Sequence, residues 1–300
     1  MIDYLLGVDG GGTGTRVRLL CANGARLSQA RGGPSGLMHG APAAWAAIEA
    51  AAGQAFAEAG LAWPERSRIA IGLGLAGVHN QDWAGALVAL QPGYALMALE
   101  TDAYTAWLGA HQGRPGAVVA VGTGSVGLAV ARDGSRRDVG GWGFPADDEG
   151  SGAWLGLQAV NHTMKSLDGR RAAGPLSQAV QARCGVGRER LLAWAARATQ
   201  TRYAELAPLV LNHAQADNTA RALLIHAGLH IKALADALDP THELPLALCG
   251  GLALPLRPYL PEELRTRCQA PLGDAVDGAV RLIQSCVASA AQPHTTKASA

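Results

Sequence analysis

The segment Asp9-Gly10-Gly11-Gly12-Thr13-Gly14 separates two stretches that have the pattern of β-strands. Tyr4 to Val8 is an apolar run, and Thr15 to Leu19 alternates polar and apolar residues with period two. Asn23-Gly24 is a strong hairpin signal and predicts a third strand at about 25–30. The chain is therefore predicted to begin with three antiparallel strands, of which the first two are joined by a glycine turn.

The same order of elements recurs later in the chain. A predicted strand at Ala117–Val121 runs into the turn Gly122-Thr123-Gly124-Ser125, and Val126–Arg132 is the next strand. Asp133-Gly134 is a second hairpin signal, after which a third strand is predicted to run to about Val139. The repeat is one of architecture more than of sequence, and it predicts two halves that each open with a strand triplet.

Helices and further strands follow each triplet. Trp45, Ile48, Ala52 and Phe56 share one face of a predicted helix, and strands alternate with helices after it, which implies parallel pairing. The remaining predictions are strands near 69–73, 95–99 and 246–249, helices near 81–90, from 103 and at 274–288, a mostly helical stretch at 151–238, and a disordered polar tail.

Composition narrows the class of protein. The 300 residues suit two domains, and 49% of them are apolar, enough for a substantial core. A net charge of +1 does not indicate the basic surface that binding to nucleic acid or to an anionic membrane would require. The longest uncharged stretch, Pro115 to Ala131, is interrupted by glycines and too short to span a membrane. Five scattered cysteines without a C-x-x-C pair argue against disulfides, zinc or an iron–sulfur cluster, so a reducing cytoplasm is expected.

The two glycine turns have the chemistry of phosphate binding. Backbone N–H groups in a turn without side chains can approach phosphate oxygens, and a threonine hydroxyl adds a donor. Asp9 could hold Mg²⁺ through water. A tight hairpin without any ligand is the alternative for each turn, although the pair together favours phosphate. The sequence contains no G-x-x-x-x-G-K-[ST] motif, and no G-x-G-x-x-G opens a helix after the first strand.

Asp102 lies at the junction of a predicted strand and a predicted helix. One interpretation is a helix N-cap. The other is a carboxylate at the carboxyl end of a strand, where it could take a proton from a substrate hydroxyl. The two interpretations are compatible.

A tryptophan among glycines precedes an acidic segment. Gly140-Gly141-Trp142-Gly143 and Asp147-Asp148-Glu149 resemble a sugar site, because an indole packs on a sugar ring and carboxylates accept from its hydroxyls. A buried tryptophan followed by an acidic helix start is the alternative. His226 and His230 are spaced i,i+4 but lack the Glu of H-E-x-x-H, which favours surface histidines over a metal site.

These motifs together resemble the BadF/BadG/BcrA/BcrD-type ATPase family, and particularly its N-acetylglucosamine and glucosamine kinases. The resemblance covers residues 9–279. In order, the matching motifs are Asp9-Gly10-Gly11-Gly12-Thr13, Asp102-Ala103, Gly122-Thr123-Gly124-Ser125, Gly141-Trp142-Gly143, Asp148-Glu149-Gly150-Ser151, Gly250-Gly251 and Asp277-Gly278-Ala279.

The resemblance implies an α/β fold of the actin/hexokinase/Hsp70 type, in which two ribonuclease-H-like domains bind ATP in the cleft between them. The expected domains are residues 1–113 and residues 114–290, with the last helix crossing back to the first domain. Residues 291–300 are expected to form a disordered tail.

The resemblance also implies ATP and Mg²⁺ as cofactors and a sugar as substrate. Asp9 would assist Mg²⁺, and Asp102 would be the base for the sugar 6-hydroxyl. Phosphates would be held by Gly10, Gly11, Gly12 and Thr13 and by Gly122, Thr123, Gly124 and Ser125. Gly250 and Gly251 would approach the adenosine, and the sugar residues would be Gly36, Gly141, Trp142 and Asp148.

The predicted function is ATP-dependent phosphorylation of an amino sugar, with N-acetylglucosamine at O6 as the leading candidate. Animal N-acetylglucosamine kinases carry asparagines at the positions of Gly36 and Val126, and these departures concern the identity of the sugar. The alternatives are a glucosamine kinase, an ATPase activator of radical dehydratases and a non-catalytic sugar sensor. The activator is disfavoured by the cysteine spacing, and the sensor by Asp9 and Asp102. A homodimer is expected from the resemblance alone.

Overall fold

The computed structural model describes residues 1–291. The chain forms two compact units. The first unit consists of Met1–Gly113 together with the chain from Leu272 onward, and the second consists of Arg114–Pro271. Ala291 ends the last helix, and the rest of the predicted disordered tail lies outside the described residues.

Ten strands and twelve α-helices make up the described chain. The strands are β1 Tyr4–Gly10, β2 Thr15–Cys21, β3 Arg26–Gly32, β4 Ile69–Leu75, β5 Leu96–Thr101, β6 Gly116–Val121, β7 Ser125–Val130, β8 Arg136–Gly140, β9 Leu246–Cys249 and β10 Cys268–Gln269. The helices are α1 Ala41–Glu58, α2 Gln81–Ala89, α3 Asp102–His111, α4 Gly152–Leu167, α5 Pro175–Cys184, α6 Arg188–Ala195, α7 Gln200–Ala204, α8 Ala207–His213, α9 Asn218–Leu238, α10 Ala253–Leu256, α11 Glu262–Arg267 and α12 Ala275–Ala291.

The two sheets share one topology. The first has the order β3-β2-β1-β4-β5, and the second has the order β8-β7-β6-β9-β10. In each sheet the first three strands are antiparallel, and the other two are parallel to the central strand. The prediction of two ribonuclease-H-like α/β units is therefore confirmed, together with the two strand triplets.

Side chains of the first sheet alternate between its two faces, and each face packs against helices. Leu6 and Val8 of β1 pack in one cluster with Ile48 of α1. Leu5 belongs to another cluster, which contains Ile283 of α12. The last helix of the chain therefore completes the core around the first strand.

Glycines allow α12 to approach the rest of the first unit closely. A Cβ on Gly7 would lie 2.5 Å from a methyl group of Val280, and one on Gly278 would overlap the Thr105 carbonyl oxygen of α3. A larger residue at either position would require the backbones to separate.

The second unit has a separate core, in which β6 packs with α4 and α9 through Val119, Leu155 and Leu224. The stretch predicted to be mostly helical, 151–238, consists of the six helices α4–α9. The two-residue strand β10 was not predicted. Within the described residues, none of the helices combines the length and hydropathy of a membrane span.

Candidate active site

The first glycine turn packs tightly on the segment 33–36. A Cβ on Gly10 would overlap the buried Ser35 Oγ, whereas one on Gly11 would meet no atom within 4 Å. Thr15 Oγ1 donates to the Gly33 carbonyl at 2.6 Å and lies 2.7 Å from Ser35 Oγ. The turn is thus anchored on one side and has free space beside Gly11, a combination suited to a ligand that approaches the backbone.

Gly36, a predicted sugar residue, lies directly against this turn. Both the Ser35 and the Gly36 N–H groups donate to the Gly11 carbonyl, at 3.2 and 3.0 Å. A Cβ on Gly36 would lie 2.5 Å from the Met38 sulfur and 3.2 Å from the Gly11 carbonyl carbon. A side chain at residue 36 would therefore have to displace Met38.

Asp9 is the next-to-last residue of β1 and is paired with Arg16, a contact that the sequence alone did not predict. Arg16 Nε and Nη2 donate to Asp9 Oδ2 at 2.9 and 2.7 Å, and Nη1 reaches Asp274 Oδ2 at 3.4 Å. Burial raises the pKa of Asp9, and the neighbouring Arg16 guanidinium opposes that rise. The available signal was register, because a seven-residue step around the turn places Arg16 opposite Asp9 on the antiparallel strand β2.

The parallel strands bring Asp9 and Asp102 to the same edge of the first sheet. Gly10 of β1 is in register with Leu75 of β4, and Leu75 is in register with Thr101 of β5. His79 follows β4 at this edge. The carboxyl ends of parallel strands are where α/β sheets place ligands.

The structure corrects one interpretation of Asp102. The N-cap of α3 is Thr101, whose Oγ1 accepts from the Tyr104 N–H at 3.1 Å. Asp102 is the first helical residue, and its Oδ1 accepts from the Ala103 N–H at 2.9 Å.

The pKa of Asp102 is raised to about 6, mainly by burial and also by the negative charge of Asp9, whereas the hydrogen bond from the Ala103 N–H and the neighbouring His79 act in the opposite direction. A carboxylate with a pKa near neutrality is suited to accept a proton.

In the second unit, Asp148 is bonded directly to the second glycine turn. Its Oδ1 accepts from the Ser125 N–H at 2.9 Å, and a Cβ on Gly124 would lie 2.5 Å from that oxygen. Ser125 Oγ donates to the Glu149 carbonyl at 2.8 Å, so the turn and the acidic segment are joined twice. A Cβ on Gly122 would meet no atom within 4 Å, so the backbone there is open to a ligand.

The other oxygen of Asp148 is also bonded. Oδ2 accepts from Gln200 Nε2 at 2.7 Å, a contact that the sequence reasoning missed. Asp148 has a φ of 66° and is only 5% exposed, and its burial raises the pKa of the carboxyl. Because 52 residues separate Gln200 from Asp148, no local pattern could have linked them.

Gly250 and Gly251 lie beside the second glycine turn. The parallel pairing of β6 with β9 brings the end of β9 next to Val121, and a Cβ on Gly250 would overlap the Val121 carbonyl oxygen. Gly250 has a φ of 91°, whereas a Cβ on Gly251 would meet nothing within 4 Å. The structure therefore brings together the predicted phosphate turn and the predicted adenosine glycines of this unit.

Trp142 is 87% exposed, so the alternative of a buried tryptophan is wrong. The backbone N–H of Trp142 donates to Asp147 Oδ2 at 2.8 Å, and Gly141 before it has a φ of 75°. The turn holds the indole in solvent within its unit, where its face is available to a ring.

His230 Nδ1 lies 3.2 Å from Glu149 Oε2, and its ring packs edge-on against Trp154. In the part of the chain that the structure describes, no three His, Cys, Asp or Glu side chains are grouped as metal ligands.

Comparison with known proteins adds to this geometry. The model of the BadF/BadG/BcrA/BcrD ATPase family matches residues 6–253. A glucosamine kinase of Vibrio cholerae is 31% identical over 93% of this chain and 95% of its own. An N-acetyl-D-glucosamine kinase of Dictyostelium discoideum is 27% identical over 83% and 85%. A crystal structure from Chromobacterium violaceum, named for N-acetylglucosamine kinase, is 51% identical with a TM-score of 0.91, covering 94% of this chain and 99% of that one.

Proposed function

The chain belongs to the BadF/BadG/BcrA/BcrD ATPase family, and on that premise we propose that it is an ATP-dependent amino-sugar kinase. The proposed reaction moves the γ-phosphoryl group of ATP to O6 of N-acetylglucosamine. The curated relatives and the 51% identical structure are all named for kinases of glucosamine or N-acetylglucosamine, which supports this class of substrate.

The observation that carries the proposal is the environment of Asp102. A kinase base must be ionised at the working pH and yet basic enough to accept the hydroxyl proton as the phosphoryl group is transferred. The pKa of Asp102, raised to about 6, meets both conditions near neutral pH. In the proposed step the Asp102 carboxylate takes the proton from the 6-hydroxyl, O6 forms the new bond to phosphorus, and ADP leaves.

The glycine turns supply the phosphate contacts in this proposal. Gly10 to Thr13 in the first unit and Gly122 to Ser125 in the second would donate backbone N–H groups to phosphate oxygens. Gly250 and Gly251 would allow the adenosine to approach the backbone. The free space beside Gly11, Gly122 and Gly251 supports these roles.

Asp9 fits a role towards Mg²⁺, because a carboxylate oxygen is a hard ligand and Mg²⁺ retains several waters. Both Arg16 hydrogen bonds reach Oδ2, so we assign Oδ1 to a water of the ion. Mg²⁺ would neutralise charge on the phosphates of ATP when it is bound. Arg16 would keep the Asp9 carboxylate in one orientation.

The sugar contacts are proposed for Gly36, Gly141, Trp142 and Asp148. The exposed indole of Trp142 offers a flat apolar face, and Asp148 has lone pairs for sugar hydroxyls. Met38 and the Gly11 carbonyl carbon fill the space beside the Gly36 Cα, so Gly36 would contact the sugar through its backbone. Glucosamine is the second candidate, because the Vibrio relative is named for it and three carboxylates at Asp147, Asp148 and Glu149 suit an ammonium group. A cytoplasmic location and a homodimer stay predictions.

The test is a side-by-side measurement of kcat/KM for N-acetylglucosamine, glucosamine and glucose with Mg·ATP. We expect one amino sugar to be preferred strongly over glucose, since site groups that bind the amino substituent would otherwise lose their partner. Phosphorus-coupled NMR of the product should place the phosphate on O6. Equal use of glucose would refute the amino-sugar assignment, and the absence of any sugar phosphate would favour the sensor or the activator.

A further inference from the structure

One buried carboxylate joins three segments of the second unit. Asp148 lies in the loop before α4, Ser125 begins β7, and Gln200 begins α7. The two oxygens of Asp148 accept from the other two residues at 2.9 and 2.7 Å. The glycine turn is therefore connected to α7 through a single side chain.

The α7 end of this connection is held firmly. The Thr199 hydroxyl caps α7, accepting from the Arg202 N–H. A Cβ on Gly156 of α4 would overlap the Tyr203 carbonyl oxygen, so α4 and α7 pack backbone against backbone. The backbone from which the Gln200 side chain extends is therefore held in place by the packing and capping of α7.

The connection is also needed electrostatically. An ionised carboxylate that is 5% exposed requires hydrogen bonds to replace those from water. Its backbone φ of 66° is uncommon for a non-glycine residue, which indicates that the surrounding contacts hold it there. Gln200 donates a side-chain hydrogen bond to Asp148, in addition to the backbone hydrogen bonds from Ser125 and Phe144.

We infer that Gln200 is a positioning residue for phosphoryl transfer: it holds the Asp148 carboxylate, which holds the turn at Ser125 and presents its remaining lone pairs to the sugar. The inference rests on the proposed function. It predicts that a residue outside the glycine turns and the acidic segment sets the affinity for both substrates.

Gln200→Glu tests the inference because it replaces the amide donor with a carboxylate of the same shape. Two carboxylates at hydrogen-bond distance cannot both be ionised at little cost, so one must bind a proton. The other titratable or charged groups nearby are Asp147 and Glu149 in the loop, His230 on α9, Arg202 on α7, and Glu205 directly after α7. These groups are present in every variant. The ratio of each variant's KM or Kd to the wild-type value therefore reports the effect of the carboxylate introduced beside Asp148.

At pH 8 we expect Gln200→Glu to raise the KM for the amino sugar at least tenfold and the Kd for Mg·ATP severalfold. At pH 6 a shared proton restores the hydrogen bond, and both ratios to wild type should shrink. Gln200→Leu should raise the same KM by a ratio that does not depend on pH. Gln178→Glu, an exposed change of the same charge on α5, should match wild type throughout.

Amide hydrogen exchange at Ser125 provides a readout that needs no sugar. At pH 8, Gln200→Glu should lose protection there relative to Gln178→Glu, with an unchanged circular dichroism spectrum. Loss of this protection would support the positioning role even if the wild type phosphorylated no amino sugar, which would refute only the proposed function. Unchanged protection, or unchanged KM and flat pH ratios in an active enzyme, would overturn the inference.

Discussion

Asp102 has a pKa of about 6 because it is buried and lies near Asp9, and this sets the acid side of the pH profile. The base accepts a proton only when it is ionised, so kcat/KM should fall about tenfold per pH unit below pH 6. Above pH 7 this group should impose no limit. Rates measured from pH 4.5 to 8 in one mixed buffer would check the profile, and a flat profile down to pH 5 would contradict the role of Asp102.

Asp102→Asn should lower the rate of phosphorylation and raise the free energy of unfolding. The amide cannot take the proton, so phosphorylation should fall by roughly 10²–10⁴-fold while Mg·ATP still binds. The carboxyl has a pKa of about 6 in the folded chain, compared with an ordinary value of 3.8, so its ionisation lowers the free energy of unfolding above pH 6. Below pH 3.8 the carboxyl is protonated in both the folded and the unfolded chain, so it does not affect the free energy of unfolding there.

Asp102→Asn should therefore raise the free energy of unfolding by about 1–3 kcal/mol at pH 7.5 and by almost nothing at about pH 3. Denaturant titrations at the two pH values would measure the difference. Near-wild-type turnover would show that another group is the base.

At the scale of single residues, the sequence predicted a site residue only where a reactive side chain stood next to a recognisable strand or turn. Asp9 follows the apolar run from Tyr4 to Val8, and Asp102 follows β5, so both could be selected without a structure. The role of Arg16 follows from its position opposite Asp9 in the strand register. The role of Gln200 follows from its hydrogen bond to Asp148, which is distant in the sequence. Side chains that act on other side chains leave no pattern in the sequence.

At the scale of elements, the contact of α12 with α3 depends on Gly278. A Cβ there would overlap the Thr105 carbonyl oxygen and lie 2.8 Å from the Gly109 nitrogen, and neither backbone atom can move alone. Gly278→Ala should lower the free energy of unfolding by about 1–3 kcal/mol. Gly85→Ala in α2 is the matched control, since its Cβ would meet nothing within 4 Å. That change should be neutral or stabilise by up to about 1 kcal/mol, as thermal and denaturant unfolding would show.

Strand periodicity and the X-Gly hairpins predicted most strands to within about two residues, and β9 was placed at its observed bounds, Leu246–Cys249. The failures have physical reasons. Two residues are too few to show a period, so β10 was invisible. Where helix follows helix, as in α4–α9, the apolar pattern continues and the breaks depend on tertiary packing.

At the scale of the whole molecule, the first unit is discontinuous in sequence and the second is continuous. A chain ending at Pro271 would lose Val280 and Ile283, which cover Leu5 and Ala70 in the first unit. We expect this truncation to expose the amides of β1 and β4 to hydrogen exchange while those of β6 and β9 stay protected. Equal loss in both units would contradict independent cores, and full protection in both would contradict the role of α12.

The discontinuous first unit also has a consequence for biosynthesis. Arg16 and Asp274 are ion-paired but lie 258 residues apart, so β1 and β2 can meet α12 only after the whole second unit has been synthesised. At an elongation rate of about 5–20 residues per second, the delay is roughly 10–50 s. During it, the apolar face of β1 and β4 that α12 covers is available to chaperones and to other nascent chains. Synthesis of the first unit therefore begins before that of the second unit and is completed after it.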